Sequence, residues 1–155
     1  MTWRWLSFEA LELSQLYQVV QLREAVFVVE QECAYLDADG RDRGAHHLLG
    51  VRDGALVAYL RAFAPGADGE ACLGRVVVAA SARGIGLGSQ LMRRGMAHAW
   101  QTWGPCPIHL SAQAHLAAFY GALGYEITGE GYLEDGIPHL PMACPAPDRV
   151  PEIPP

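Results

Sequence analysis

The chain has 155 residues, half of them hydrophobic, enough to build one domain with a real core and too apolar for a disordered chain. Its net charge of −6 and pI near 5.4 leave no basic surface for nucleic acid, while an acidic surface tolerates a cationic or amine ligand. The four cysteines, Cys33, Cys72, Cys106 and Cys144, form no CxxC pair, no apolar run reaches membrane-spanning length, and the N-terminus shows no signal-peptide pattern. A cytoplasmic protein with free thiols, no metal and no membrane partner is therefore expected.

In chain order, Thr2 to Phe8 reads as a short strand with Trp3 and Trp5 on one side. Ser14 is the expected cap of a helix that spaces Leu16, Val19, Val20, Arg23 and Phe27 helically. The β-rich run Val26-Phe27-Val28-Val29-Glu30-Gln31 is expected to end that helix. Cys33 to Gly44 reads as a solvated loop; its aspartates 37, 39 and 42 suggest a calcium loop, but no glutamate stands at the twelfth place. A hairpin follows, with strands over Ala45–Arg52 and Ala55–Ala64 joined by Asp53-Gly54. His46 and His47 open its first strand and face opposite sides, so at most one of them reaches any one cleft.

A strand over Cys72–Ala79, carrying Val76, Val77 and Val78, leads into Arg83-Gly84-Ile85-Gly86-Leu87-Gly88-Ser89 and a helix from Gly86 to Trp103. Glycines on alternate positions let the backbone turn its N–H groups outward, and a helix starting there adds unpaired N–H groups and its positive dipole end. Strand, glycine turn and helix together make an anion cradle, with the Arg83 guanidinium at its mouth. A Walker loop is excluded because the chain contains no lysine. A dinucleotide fingerprint fails too: its sixth place is Ser89, and no acid ends a strand about twenty residues on.

Beyond the helix come a strand over Ile108–Ala112, a helix over Leu116–Leu123 closed by Gly124, and a final hairpin of Tyr125–Tyr132 and Ile137–Ala143 about the turn Glu134-Asp135-Gly136. Residues 145–155 form a proline-rich tail expected to fray. No internal repeat or second domain is visible, so residues 1–155 read as one α+β domain with a mixed sheet of about seven strands and helices on both faces.

Arg83, Gly86 and Gly88 after the Val-rich strand resemble the pyrophosphate-binding motif of the GNAT superfamily of acyl-CoA N-acyltransferases. Gln113, Phe119-Tyr120 and Gly124-Tyr125 resemble the family's second motif, with Gln113 where asparagine is usual. The strings Leu22-Arg23 with Val26 to Gln31, Ala112 to His115, and Glu134 to His139 resemble the ElaA-like GNAT proteins. The resemblance implies a mostly antiparallel sheet and acetyl-CoA, bound by Val76, Val77, Val78, the turn from Arg83 through Gly84, Ile85, Gly86, Leu87 and Gly88 to Ser89, Gln113, Phe119 and Tyr120. It implies direct transfer of the acetyl group to an amine, with Tyr120 serving the leaving thiolate. Homodimers are frequent in the family.

An amine acceptor is mostly protonated at neutral pH, so a base is needed. Glu30, His46, His47, Glu134 and His139 are candidates, and the last two border the acceptor side in this family. His109 and His115 read as structural. Arg75 either binds an acceptor carboxylate or pairs with an acid at the core edge. Two other functions compete with an N-acetyltransferase of a small-molecule or protein amine. One is an acyl-CoA sensor without turnover. The other is a nucleotide-dependent oxidoreductase, against which the glycine count and the missing acid argue.

Overall fold

The computed structural model describes Met1 to Pro155. Its sheet has eight strands: β1 (Thr2–Ser7), β2 (His46–Arg52), β3 (Ala55–Phe63), β4 (Ala71–Val78), β5 (Ile108–Gln113), β6 (Glu126–Ile127), β7 (Tyr132–Glu134) and β8 (Ile137–Cys144). They run in the order β1-β2-β3-β4-β5-β8-β6, with β7 also on β8. Only β4 and β5 are parallel; the other neighbours are antiparallel. Three α-helices, α1 (Leu13–Arg23), α2 (Leu87–Trp103) and α3 (Ala117–Gly121), complete the domain.

Strand alternation divides the core. Leu60, Ala62 and Leu73 face Leu91, Met92, Met96 and Trp100 of α2, while Leu49, Tyr59 and Val77 face Val19, Leu22 and Val26 on the other side. The approach of α2 is close: a Cβ on Gly95 would stand 2.6 Å from Leu60 Cδ2, so a larger residue there requires the Leu60 side chain or the helix to shift.

Two irregularities open the sheet. In the β3–β4 pair the register shifts so that Arg75 and Val76 together stand opposite Leu60, and Arg75 takes a left-handed φ of 52°. This is a β-bulge, which bends its strand. On its other edge β4 leaves β5 before the bulge is reached: the two pair only at Ala71–Ile108 and Cys72–His109, and their carboxyl ends diverge.

Three local expectations are corrected. Glu12, not Ser14, starts α1, its N–H bonding Gln15 Oε1 at 3.0 Å. Val26 to Gln31 does not end the helix as a strand-like run; Glu24–Glu30 continues α1 as a π-helix, because burial of Val26 under the sheet outweighs β-propensity. Tyr125 to Tyr132 is not one strand: β6 and β7 are separated by residues 128–131, where Pro141 and the His139 backbone crowd Gly129 and Gly131. The tail lies along α2, where Arg94 bonds the carbonyls of Pro154 and Pro155, and Gln101 that of Pro151.

Candidate functional site

The divergence of β4 from β5 leaves a cleft of about 780 Å³. Of the residues singled out in the sequence, Val76, Val77, Val78, Arg83, Gln113, Tyr120, Glu134 and His139 line it. At its β4 end the backbone reaches the glycine turn. Gly84 and Gly86 have φ of 82° and 76°, and a Cβ at either would project into open space. The N–H groups of Gly84, Ile85, Gly86, Leu87, Gly88 and Ser89 make no hydrogen bond within the protein; the first helical bond is Gln90 N–H to the Gly86 carbonyl at 3.1 Å. Six open donors at a helix N-terminus suit a pyrophosphate, so the turn fits the phosphate end of coenzyme A. Phe119 lies beneath this turn, 3.5 Å from where a Gly88 Cβ would sit, rather than in the cleft lining.

The cleft edge of β4 offers further donors. Ala79 gives its N–H to the Val57 carbonyl at 2.8 Å, so strand alternation turns the N–H of Val78 to the cleft side. Arg83 occupies the Val78 carbonyl, its Nε donating at 3.0 Å, while Nη1 and Nη2 hold the Glu30 carboxylate at 2.7 and 3.0 Å. Hydrogen bonds from Arg83 hold the Glu30 carboxyl below its ordinary pKa. In this arrangement the guanidinium expected at the phosphates ties the π-helix to the end of β4. The neighbouring residue spans the gap: Gln113 Nε2 donates to Gln31 Oε1 at 3.0 Å. The end of the π-helix thus bridges both diverging strands.

Tyr120 is buried, its ring edge-on to those of Phe119 and Tyr125 at 5.0 and 5.9 Å. Burial pushes its phenol up to about 12, and the hydroxyl has no protein partner. On the opposite wall, His139 Nδ1 lies 2.7 Å from the Ile137 carbonyl, which can only accept, so the neutral ring carries its proton on Nδ1 and its lone pair on Nε2. Nε2 is 3.4 Å from Glu134 Oε2, and that carboxylate also accepts from Ser111 Oγ at 3.3 Å. The Tyr132 ring stacks on His139 at 6.1 Å, and its hydroxyl meets Ser111 Oγ.

The remaining histidines divide. His47 is buried between the Tyr59 hydroxyl and the Asp42 carbonyl, and burial lowers its pKa. His46 packs on Trp5 and Trp103, so neither it nor His47 lines the cleft. His109 stands with Asp68 and Glu70, with one ligand atom from each within 4.8 Å of the others. His115 is exposed at the cleft mouth.

The loop from Cys33 to Gly44 is exposed over most of its length, as expected, but three of its aspartates are not left to water. Asp37 and Asp42 take Arg23 at 2.7 and 2.8 Å; Asp39 and Asp42 take Arg61 at 2.5 and 2.8 Å. Arg23 and Arg61 have side chains only 2% and 4% exposed, so the loop is fixed by buried charge. For Asp42 burial acts upward, but the hydrogen bonds from Arg23 and Arg61 outweigh it and lower the pKa. Hydrogen bonds from Arg61 likewise hold Asp39 well down. Arg75 joins from the bulge, Nε 2.7 Å from Asp37 Oδ1, so both readings of that residue survive: it pairs with acids and lines the cleft. Cys33 Sγ donates to the Asp135 carbonyl at 3.4 Å and ties the loop to the β7–β8 turn. A sequence signal for this network existed: Arg23 lies on the apolar stripe of α1, and Arg61 lies among Tyr59, Leu60 and Ala62.

A profile of the acetyltransferase (GNAT) domain matches residues 16–146. ElaA of Escherichia coli is 44% identical over 144 residues, 91% of this chain and 94% of that protein. The crystal structure of an acyl-CoA N-acyltransferase from Pseudomonas aeruginosa superposes with a TM-score of 0.88 at 46% identity, covering 93% of this chain and 99% of that one. An aminoglycoside 6′-N-acetyltransferase complexed with coenzyme A shares the fold, with a TM-score of 0.72 at 18% identity over 96% of this chain and 100% of that one.

Proposed function

Because the chain belongs to the GNAT acetyltransferase family, in its ElaA-like branch, we propose that it is an acetyl-CoA-dependent N-acetyltransferase that delivers the acetyl group directly to an amine. The observation that carries the reading is the run of six unpaired N–H groups from Gly84 to Ser89, set where β4 and β5 part.

Acetyl-CoA supplies the acyl group already activated as a thioester. Gly84 to Ser89 bind its phosphates through the backbone, and the free edge of Val76 to Val78 pairs with its pantetheine amides. The Val78 N–H is the donor for the acyl oxygen as negative charge builds there, worth a few kcal/mol for one pre-placed group. Holding donor and amine side by side supplies much of the remaining rate. His139 Nε2, with its lone pair fixed by the Nδ1 hydrogen bond, takes the proton that the acceptor ammonium must lose, and Glu134 stabilises the resulting imidazolium.

Tyr120 serves the leaving sulfur by hydrogen bonding. With a pKa of about 12 against about 8.5 for an ordinary thiol, full proton transfer to the thiolate would cost roughly 5 kcal/mol, so the phenol keeps its proton and stabilises the charge. A hydrogen bond to a charged group contributes about 1.5–3 kcal/mol. Tyr120→Phe is accordingly expected to lower kcat about ten- to a hundredfold, with acetyl-CoA affinity unchanged. Thiol release from acetyl-CoA across a panel of amines, with calorimetry alongside, tests the whole reading. Amine-dependent release supports it; cofactor binding without release for any amine would mark a sensor, and unaltered kcat in the variant would remove Tyr120 from the chemistry.

A further inference from the structure

Within the acetyltransferase reading, on which this rests, we propose that the acceptor is a zwitterion: an amine of amino-acid size whose carboxylate is bound by Arg75 and Arg41. Both residues line the cleft. Arg75 is turned into it by the bulge, at the one left-handed residue of β4. Its guanidinium is fixed on one edge only. Nε meets Asp37 Oδ1 at 2.7 Å, Nη2 donates to the Asp37 carbonyl at 3.2 Å and lies 3.5 Å from Asp39 Oδ2, and the plane sits over the Tyr35 ring at 5.6 Å. Nη1 has no protein partner, and the side chain is 23% exposed, so a held guanidinium presents a free donor to the cleft. Pre-organised arginine of this kind suits a carboxylate.

The charges around the cleft point the same way. Arg23, Arg61 and Arg75 balance Asp37, Asp39 and Asp42. Arg41, also in the lining, makes no ion pair and holds its guanidinium carbon 4.6 Å from the Phe63 ring centroid, so this wall carries one surplus positive charge. The facing hairpin carries Glu134 and Asp135 beside His139, and Arg83 and Glu30 cancel. An ammonium is drawn to the hairpin, where the base stands, and an anion to the arginine wall. Only Val76 and Val77 separate Arg75 from Val78, the donor for the acyl oxygen, so the two recognised groups lie within about 10 Å of strand. A cleft of about 780 Å³ that also takes a pantetheine arm leaves space for a small molecule. A plain amine satisfies one wall, and a polyamine is repelled by Arg41.

Matched pairs test the inference: glycine against methylamine, phenylalanine against phenethylamine, methionine against 3-(methylthio)propylamine, each with acetyl-CoA. The zwitterion of at least one pair is expected to exceed its amine at least tenfold in kcat/KM. Arg41→Ala, which breaks no ion pair, is expected to reduce that ratio at least fivefold through KM, with acetyl-CoA affinity by calorimetry unchanged. Arg75→Gln, verified as folded by its thermal melt, is expected to reduce it further. Equal or better use of every decarboxylated amine, an unaltered ratio in Arg41→Ala, or no acetylated zwitterion from a protein that binds acetyl-CoA would overturn the inference. Failure to bind acetyl-CoA would overturn the underlying acetyltransferase reading as well, and calorimetry alone distinguishes that case.

Discussion

Asp42→Ala is expected to cost about 3 kcal/mol of folding stability at neutral pH, seen as a fall in melting temperature of roughly 10 °C. Asp42 bridges Arg23 and Arg61, two guanidiniums that the fold keeps almost wholly from water. Removing the shared carboxylate leaves each short of one charged partner, although Asp37 and Asp39 remain. The same substitution relieves no backbone strain, since Asp42 sits in a short helical turn with ordinary geometry. The effect depends on pH in a definite direction. The folded pKa of Asp42 lies below its ordinary value, so its contribution is complete above the unfolded pKa of about 4 and fades as pH falls through the lower folded value. The gap between parent and variant is therefore expected to shrink below about pH 4. A gap that stayed constant down to pH 2, or a loss under 1 kcal/mol at pH 7, would mean that the loop is not held by these charges.

Gly86→Val is expected to weaken acetyl-CoA binding at least a hundredfold while the protein still folds. Gly86 combines a φ of 76° with open space where a Cβ would lie. A β-branched side chain there is strained, and it stands over the N–H groups that would meet the phosphates. Strain alone is controlled by Gly69→Val, where φ is also 76°, nothing lies within 4 Å, and the residue lies in the β3–β4 loop rather than in the turn before α2. Both variants should melt lower by similar amounts, and only the first should lose the ligand. Equal affinity in the two would show that the glycine turn is a structural corner.

These two sites differ in how well the sequence announced them. The glycine turn was legible because its causes are local: a Val-rich strand, glycines where positive φ is needed, and a helix start, all within Val76 to Ser89. The hairpin at Asp53-Gly54 and the end of α2 at Gly104 were legible for the same reason. The aspartate loop was not, because its partners lie at Arg23, Arg61 and Arg75, and nothing within Cys33 to Gly44 distinguishes an acid that meets buried arginine from one that meets water. Glu30 and Gln31 show the same limit. Their β-rich neighbours predict the end of the helix, but the run is set by contacts across the fold: Val26 beneath the sheet, Glu30 on Arg83, Gln31 on Gln113. Local pattern therefore placed the glycine turn, whereas the opposite walls of the cleft, assembled from a loop, a bulge and a hairpin, needed the three-dimensional structure.

The most direct test of the central claim is a calorimetric titration of the native protein with acetyl-CoA, with NAD and ATP titrated in parallel. Saturable binding of one acetyl-CoA per chain, with no comparable affinity for NAD or ATP, is the predicted result. No heat with acetyl-CoA, or equal affinity for all three, would contradict the assignment of the β4–α2 turn and its cleft to acyl-CoA.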